Sequence, residues 1–455
     1  MQSCRRRAGQ STCKGLTKRS TSLQAQALPY WQQAGQRANA RSAHVEAEAH
    51  LSKGLEVLAT LPATPERAQH ELALHLDLGP ALMAIRGHHT EEVERVYTRA
   101  RELCQQVGET SQLFAALGGL HRFYYVQGAL HTARELGEQF LALAKRQEDS
   151  TLLLAGHWMM GTPLVWLGEV ARAHAHFEQT IARFNLQQHR GLVLRYGLDP
   201  GSASRVFTAF TLWTTEYADQ ALRRSQEALL LAQELAQPLN QAYVLFLVAM
   251  FHWLRRDAQS TCEYVEACMS LATEHGFPLW ITAGTWLHGA ALAQQGYLDE
   301  GIAQLRQGRD ALRATRTELL GPMILIALAE AHAKAGRPDG GHELLVDAQD
   351  VVARTAQHFW EAEVYRLQGE YLLAQSAAHA SETEACFHHA LDITRRQQAK
   401  AWELRAATSL ARLWQSQGKR QEAYDLLTPV YGWFTEGLDT TDLQEAKALL
   451  NELKE

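Results

Sequence analysis

GAALAQQGYLDEGIAQLRQG, the stretch from Gly289 to Gly308, places small residues at Gly289, Gly301 and Gly308 around a central Gly296, with Leu292 and Leu305 between them. Each type has a physical reason. Small residues let two helices cross closely, a residue tolerant of positive φ lets the chain reverse, and a large apolar residue fills the gap beside the crossing. The same offsets give Gly161, Leu164, Ala173 and Phe177 around Gly168, and Ala329, Gly341, Leu345 and Ala348 around Gly336. They give Ala411, Trp414, Ala423 and Leu427 around Gly418, and Ala209, Leu212, Ala221 and Ala228 around Glu216, where the glycine itself is gone. One template therefore recurs along the chain.

Its beat is about 40 residues, marked by Gly87, Gly128, Gly168, Gly296, Gly336 and Gly418, with Glu216 and Arg256 keeping time between Gly168 and Gly296. A period of that length predicts a solenoid of helical hairpins, each covering the apolar face of its neighbour. The expected fold is all-α: an α-solenoid of about nine to ten antiparallel hairpins with a capping helix at the C-terminal end. Composition agrees, since Ala, Leu, Gln, Glu and Arg dominate and only 11 of 455 residues are proline.

The expected organisation is a basic disordered tail at 1–27, array at 28–186, an irregular loop at 187–204, array at 205–437 and a cap at 438–455. The tail is rich in Ser, Thr and basic residues and poor in apolar ones, so it lacks the apolar core of a signal peptide. Gly191, Gly197 and Asp199-Pro200-Gly201 stretch the spacing in the loop, which predicts an exposed hinge. The formal net charge is -6, and the first 43 residues carry eight Lys or Arg and no Asp or Glu, leaving -6 - 8 = -14 for the rest. Such a body repels nucleic acid and anionic membrane surfaces. No apolar run reaches the roughly 18 to 20 residues that span a bilayer. The six cysteines form no Cys-x-x-Cys pair, which predicts reduced thiols and a soluble protein of the cytoplasm.

The order small, large, turn Gly, small, small resembles the tetratricopeptide repeat. The longer period resembles the long-helix subfamily in the sensor region of the bacterial maltose-regulon activator and related signalling ATPases. The stretch from Ala385, with Leu410-Ala-Arg-Leu-Trp, Gly418-Lys-Arg and Tyr431-Gly-Trp-Phe-Thr-Glu-Gly, resembles the C-terminal array of large bacterial signalling proteins. In those proteins an adenylate or guanylate cyclase domain and an AAA-type ATPase precede the array. Neither catalytic motif set occurs here, so the resemblance implies a binding scaffold and carries over no activity.

Nothing in the sequence specifies a reaction. Gly418-Lys419-Arg420 is a fragment of a phosphate loop but sits at a hairpin turn without the strand that loop requires, and no Gly-x-Ser-x-Gly or His-Glu-x-x-His occurs. His88-His89, His174 with His176, and His388-His389 lack a further ligand at metal spacing. No catalytic residue, metal or cofactor is expected.

In tetratricopeptide arrays the residues ten and three before the turn face inward. Those offsets yield Trp158 and Val165, Val206 and Trp213, Phe246 and Trp253, Trp286 and Ala293, with Tyr125 from the repeat before. Later repeats yield Ile326 and Ala333, then Thr408 and Gln415. Tyr125, Trp158, Trp213, Phe246, Trp253 and Trp286 are thus candidate binding residues on a concave groove, for a protein partner or a small ligand, with no nucleic acid or membrane partner. The alternative is that these rings pack between repeats as core. The expected function is a non-enzymatic scaffold or sensor in bacterial signal transduction; the alternative is the regulatory fragment of a multidomain cyclase or ATPase.

Overall fold

The structure is a computed structural model that describes residues 26–41, 43–86, 90–108, 111–193, 198–314 and 317–454. The described residues are almost wholly helical and contain no strand. The expected tail at 1–27, apart from its last two residues, and the turn at Gly87 lie outside them, as do His88 and His89.

The chain divides into two compact units between Phe123 and Tyr124. The first holds residues 26–40 (α1), His44–Ala59 (α2), Pro65–Arg86 (α3) and Glu91–Val107 (α4), and the helix Leu113–Val126 (α5) runs through the boundary. Its core gathers Leu72, Ala100, Leu103, Cys104 and Ala116. Tyr97 is wedged between two glycines there: an added β-carbon would sit 2.3 Å from its ring at Gly79 and 2.2 Å at Gly119.

The second unit continues with Leu130–Gln147 (α6) and then runs as successive hairpins. These are Ser150–Trp166 (α7) with Val170–Arg183 (α8), the short Leu186–His189 (α9), and Pro200–Thr215 (α10) with Ala218–Leu235 (α11). Next come Pro238–Leu254 (α12) with Ala258–His275 (α13), and Pro278–Gln295 (α14) with Leu298–Ala314 (α15). Gly321–Lys334 (α16) pairs with Pro338–Thr355 (α17), Glu361–Gln375 (α18) with Ala380–Gln397 (α19), and Lys400–Ser416 (α20) with Arg420–Tyr431 (α21). Thr441–Lys454 (α22) closes the array, burying Leu443, Ala446, Leu449, Leu450 and Leu453.

Local chemistry starts and stops these helices. Asp149, Asp199 and Asp257 cap α7, α10 and α13 by accepting first-turn N–H groups, and proline opens α10, α12 and α14. Between α14 and α15 the chain reverses at Gly296 with φ 98°, and a β-carbon on Gly301 would lie 2.7 Å from the Gly289 carbonyl oxygen. The template residues are therefore the crossing points themselves. A second set of left-handed positions, at Glu148, Ala236, Gly276, Ala356 and Gln398, falls where one hairpin passes to the next. Most are not glycine, which hides them from a search for turn residues.

The stretch 187–204 differs from expectation. Its described part holds the end of α9 and the first turn of α10, and Asp199, Ser202, Ala203 and Ser204 are fully buried. Asp199 and Pro200 are a cap and a first-turn proline, which start a helix as readily as they make a loop. The boundary between compact units lies at Phe123–Tyr124 and not at this stretch.

Candidate functional site

The aromatic residues singled out by the offsets are buried or half-buried, and within the second unit they meet other repeats. Trp158 is 8% exposed, Trp213 5%, Phe246 2%, Trp253 4% and Trp286 0%, while Tyr125 is half-buried. The Trp166 indole donates to the Tyr125 hydroxyl at 2.7 Å. Trp253 packs edge-on to Trp286 at 5.8 Å and lies 6.1 Å from Trp360, while Trp213 meets Trp402 edge-on at 5.2 Å. Rings of the central repeats are thus covered by rings of the C-terminal ones. Of the two alternatives for this ladder, packing is what the exposures describe. The correction has a plain cause: the array coils tightly enough that its inner face is lined by its own later repeats.

Ion pairs bind the same seam. The Glu436 carboxylate accepts the N–H groups of Asp219 and Gln220 at 3.0 and 3.1 Å, capping α11 from 216 or more residues away. The Arg256 guanidinium reaches Glu445 at 2.9 Å and Asp442 at 3.2 Å. Arg405 pairs with Asp442 at 2.9 Å, donates to the Leu254 carbonyl at the end of α12 at 2.5 Å, and lies 4.9 Å over the Trp402 ring. The two turns that lack the template glycine, Glu216 with φ 113° and Arg256 with φ 60°, are the two that receive this C-terminal segment. A side chain in that left-handed region is strained, and at Arg256 it gains ion pairs to Asp442 and Glu445 that a glycine could not make.

Beside the seam lies a cavity of about 240 Å³. The ends of α16, α18 and α20 form one side, through Glu330, Lys334, Arg366, Glu370, Thr408 and Arg412. Arg256, Asp442 and Glu445 close the other. Behind it Arg366 grips Glu363 with two hydrogen bonds of 2.7 and 2.8 Å, and it also binds Glu370. Burial pushes the Glu363 carboxyl up, but Arg366 and Arg405 outweigh it and hold the group below its ordinary range. Glu330 goes the other way: burial, and then the Glu363 charge, raise it.

Ala333 and Thr408, which the inward offsets also produced, line this cavity, whereas Ile326 is buried and Gln415 bonds Glu452 at 3.2 Å. Sequence reasoning passed over Glu330, Arg366, Glu370 and Arg405. A signal was available in Glu363-x-x-Arg366-x-x-x-Glu370, charges at helical spacing on a first helix whose counterparts are largely apolar.

Elsewhere the histidines find ordinary partners. His176 Nδ1 lies 3.0 Å from His157 Nδ1, His174 bonds Thr211 at 2.9 Å, and His389 packs on Tyr365 at 4.2 Å. Among the described residues no three His, Cys, Asp or Glu side chains are grouped to hold a metal. Cys262, Cys268 and Cys386 are free thiols. No described helix is long and apolar enough to cross a membrane.

No family model matches the chain. No curated protein matches it either. Solved structures do: a Rap protein complexed with Competence and Sporulation Factor is 12% identical with a TM-score of 0.57, over 83% of this chain and 99% of that one. Yeast Tom70 is 11% identical with a TM-score of 0.38, over 94% and 96%. A signal transduction ATPase with a tetratricopeptide repeat sensor from Pyrococcus horikoshii is 11% identical, TM-score 0.38, over 88% and 66%. At these identities the likeness to the Rap protein is one of fold, a tetratricopeptide-like helical solenoid.

Proposed function

We propose that this chain is a non-catalytic binding module that receives a small ligand, or one residue of a partner peptide, in the cavity between α16, α18, α20 and α22. The observation that carries the reading is the cavity itself, lined by charged groups beside the ion pairs that join distant repeats. A guest there touches both sides of the seam, so binding is felt across repeats far apart in the sequence. That is how an array without chemistry of its own relays an event. The context we infer is bacterial and cytoplasmic, in signal transduction, with the effector on another domain or protein. The resemblance of the stretch from Ala385 to cyclase- and ATPase-associated arrays supports a second reading, a regulatory fragment, which an in-frame phosphate loop upstream of Met1 would establish.

Of the aromatic ladder, Trp213 takes part in this proposal, packing with Trp402 beneath the Arg405 guanidinium that lines the cavity. Thermal unfolding of the chain with the common free amino acids and blocked dipeptides tests the reading, against an Ala333→Trp variant. Ala333 is exposed and lines the cavity, so a tryptophan there fills the space without entering the core. A ligand at a hundred times its Kd stabilises by about 2.7 kcal/mol. We expect at least one compound to stabilise the natural chain and to lose that effect in the variant. Equal stabilisation of both would place the binding site elsewhere.

A further inference from the structure

The cavity presents charges of both signs. On the side of α16 and α18 the lining carboxylates Glu330 and Glu370 stand against Arg366 and Lys334, and Glu363 behind them is paired with Arg366 at 2.7 Å and with Arg405 at 3.6 Å. On the side of α20, α22 and the turn at Arg256, three guanidiniums, Arg256, Arg405 and Arg412, stand against Asp442 and Glu445, a surplus of one positive charge.

The hydrogen bonds show which groups remain open to a guest. Arg366 is spent on Glu363 and Glu370, which leaves Glu330 without a hydrogen bond among the described residues and with its ion pair to Arg366 at 3.9 Å. Lys334, one helical turn beyond Glu330, has no ion pair or hydrogen bond among the described residues. Arg256 is held by Asp442 and Glu445, and Arg405 by Asp442, Glu363 and the Leu254 carbonyl. Arg412, half exposed, has a single contact of 3.2 Å to Glu445. A guest with one charge would satisfy Glu330 or Arg412 and leave the other as it stands. The space limits the guest as well, because about 240 Å³ corresponds to roughly eight waters at ~30 Å³ each. That is the bulk of one amino acid and far less than a helix.

We propose that this cavity binds a small zwitterion of amino-acid type, its ammonium on Glu330 and Glu370 and its carboxylate on Arg412. The inference rests on the reading of the cavity as the binding site. Burial and then the Glu363 charge raise the Glu330 carboxyl, so a cation brought beside it would stabilise its charged form. The same dipole is presented by a free amino acid and by neighbouring basic and acidic side chains of a peptide.

Titration calorimetry on the full chain separates these outcomes. The zwitterions β-alanine, 4-aminobutyrate and 6-aminohexanoate span a range of charge separations, butyrate and butylamine carry one charge each, and N-acetyl-Lys-Glu-amide supplies the peptide form. We expect at least one zwitterion, or the blocked dipeptide, to bind about tenfold or more tightly than both singly charged compounds. Preference for the dipeptide assigns a peptide source, and preference for an amino acid assigns a free one. Glu330→Gln should weaken the best zwitterion about tenfold and bring it to the level of butyrate, and Arg412→Gln should bring it to that of butylamine. Both positions are partly exposed, and circular dichroism checks that each variant keeps its helix. Butyrate or butylamine binding as tightly as the best dipolar compound, or no dipolar compound binding, overturns the inference. If a singly charged compound binds and Ala333→Trp abolishes it, the cavity remains the site and only its charge preference is refuted. Binding indifferent to Ala333→Trp refutes the site as well.

Discussion

Replacing Trp286 with alanine tests whether the inner aromatic residues hold the array together. The ring is fully buried, packed edge-on to Trp253 at 5.8 Å and to Phe246 at 6.3 Å. A tryptophan buries about 150–250 Å², and at about 25 cal/mol per Å² its removal forfeits roughly 4–6 kcal/mol. Part is returned, because the indole Nε1 is buried with no hydrogen-bond partner and truncation relieves about 1 kcal/mol or more of desolvation cost. Collapse of the site is limited. Gly308 already touches the Trp286 backbone so closely that a β-carbon there would lie 2.4 Å from the Trp286 β-carbon. The expected loss is about 3–5 kcal/mol, as for other buried large aromatics. Trp286→Phe keeps most of the volume and drops the unpartnered N–H, so it should cost less than about 1.5 kcal/mol. Urea unfolding followed by far-ultraviolet circular dichroism measures both. Since stacked repeats can unfold in parts, hydrogen exchange of the α14 amides localises the effect. A loss under about 1 kcal/mol for Trp286→Ala would refute the packing argument and return this ring to the candidate ligand contacts.

Glu436→Ala should cost about 0.5–2 kcal/mol, the worth of a helix N-cap, and should speed hydrogen exchange at the Asp219 and Gln220 amides while leaving α14 unchanged. At the Arg256 turn, glycine should be more stable than alanine by about 1 kcal/mol, since both lose the ion pairs to Asp442 and Glu445 but only alanine keeps the left-handed strain; equal denaturation midpoints would contradict this. Burial raises the Asp199 carboxyl to about 6, against 3.8 unfolded. Its contribution is full below pH 3.8, where both states are protonated, and falls as pH rises toward 6 by up to about 3 kcal/mol. Asp199→Asn keeps the cap and should flatten that slope, which denaturation midpoints between pH 4 and 7 would register.

The hairpins, their turns at Gly128, Gly168, Gly296, Gly336 and Gly418, and the closing helix were legible in the sequence because each depends on residues within about 20 positions of one another. A small residue opposite a small residue, a turn glycine and a capping aspartate act through local geometry, and local geometry leaves a period. The repeating offsets that pick out Trp213, Trp253, Ala333 and Thr408 were legible for the same reason. What they face was not. Trp213 against Trp402, Arg405 against the Leu254 carbonyl, and Glu436 on the start of α11 join residues separated by 151 to 217 positions. Such meetings are set by the pitch of the superhelix, the sum of small rotations over many repeats, and no single repeat encodes that sum. Tertiary structure alone therefore turned an aromatic ladder into a packed wall and drew charges from α16, α18, α20 and α22 around one cavity.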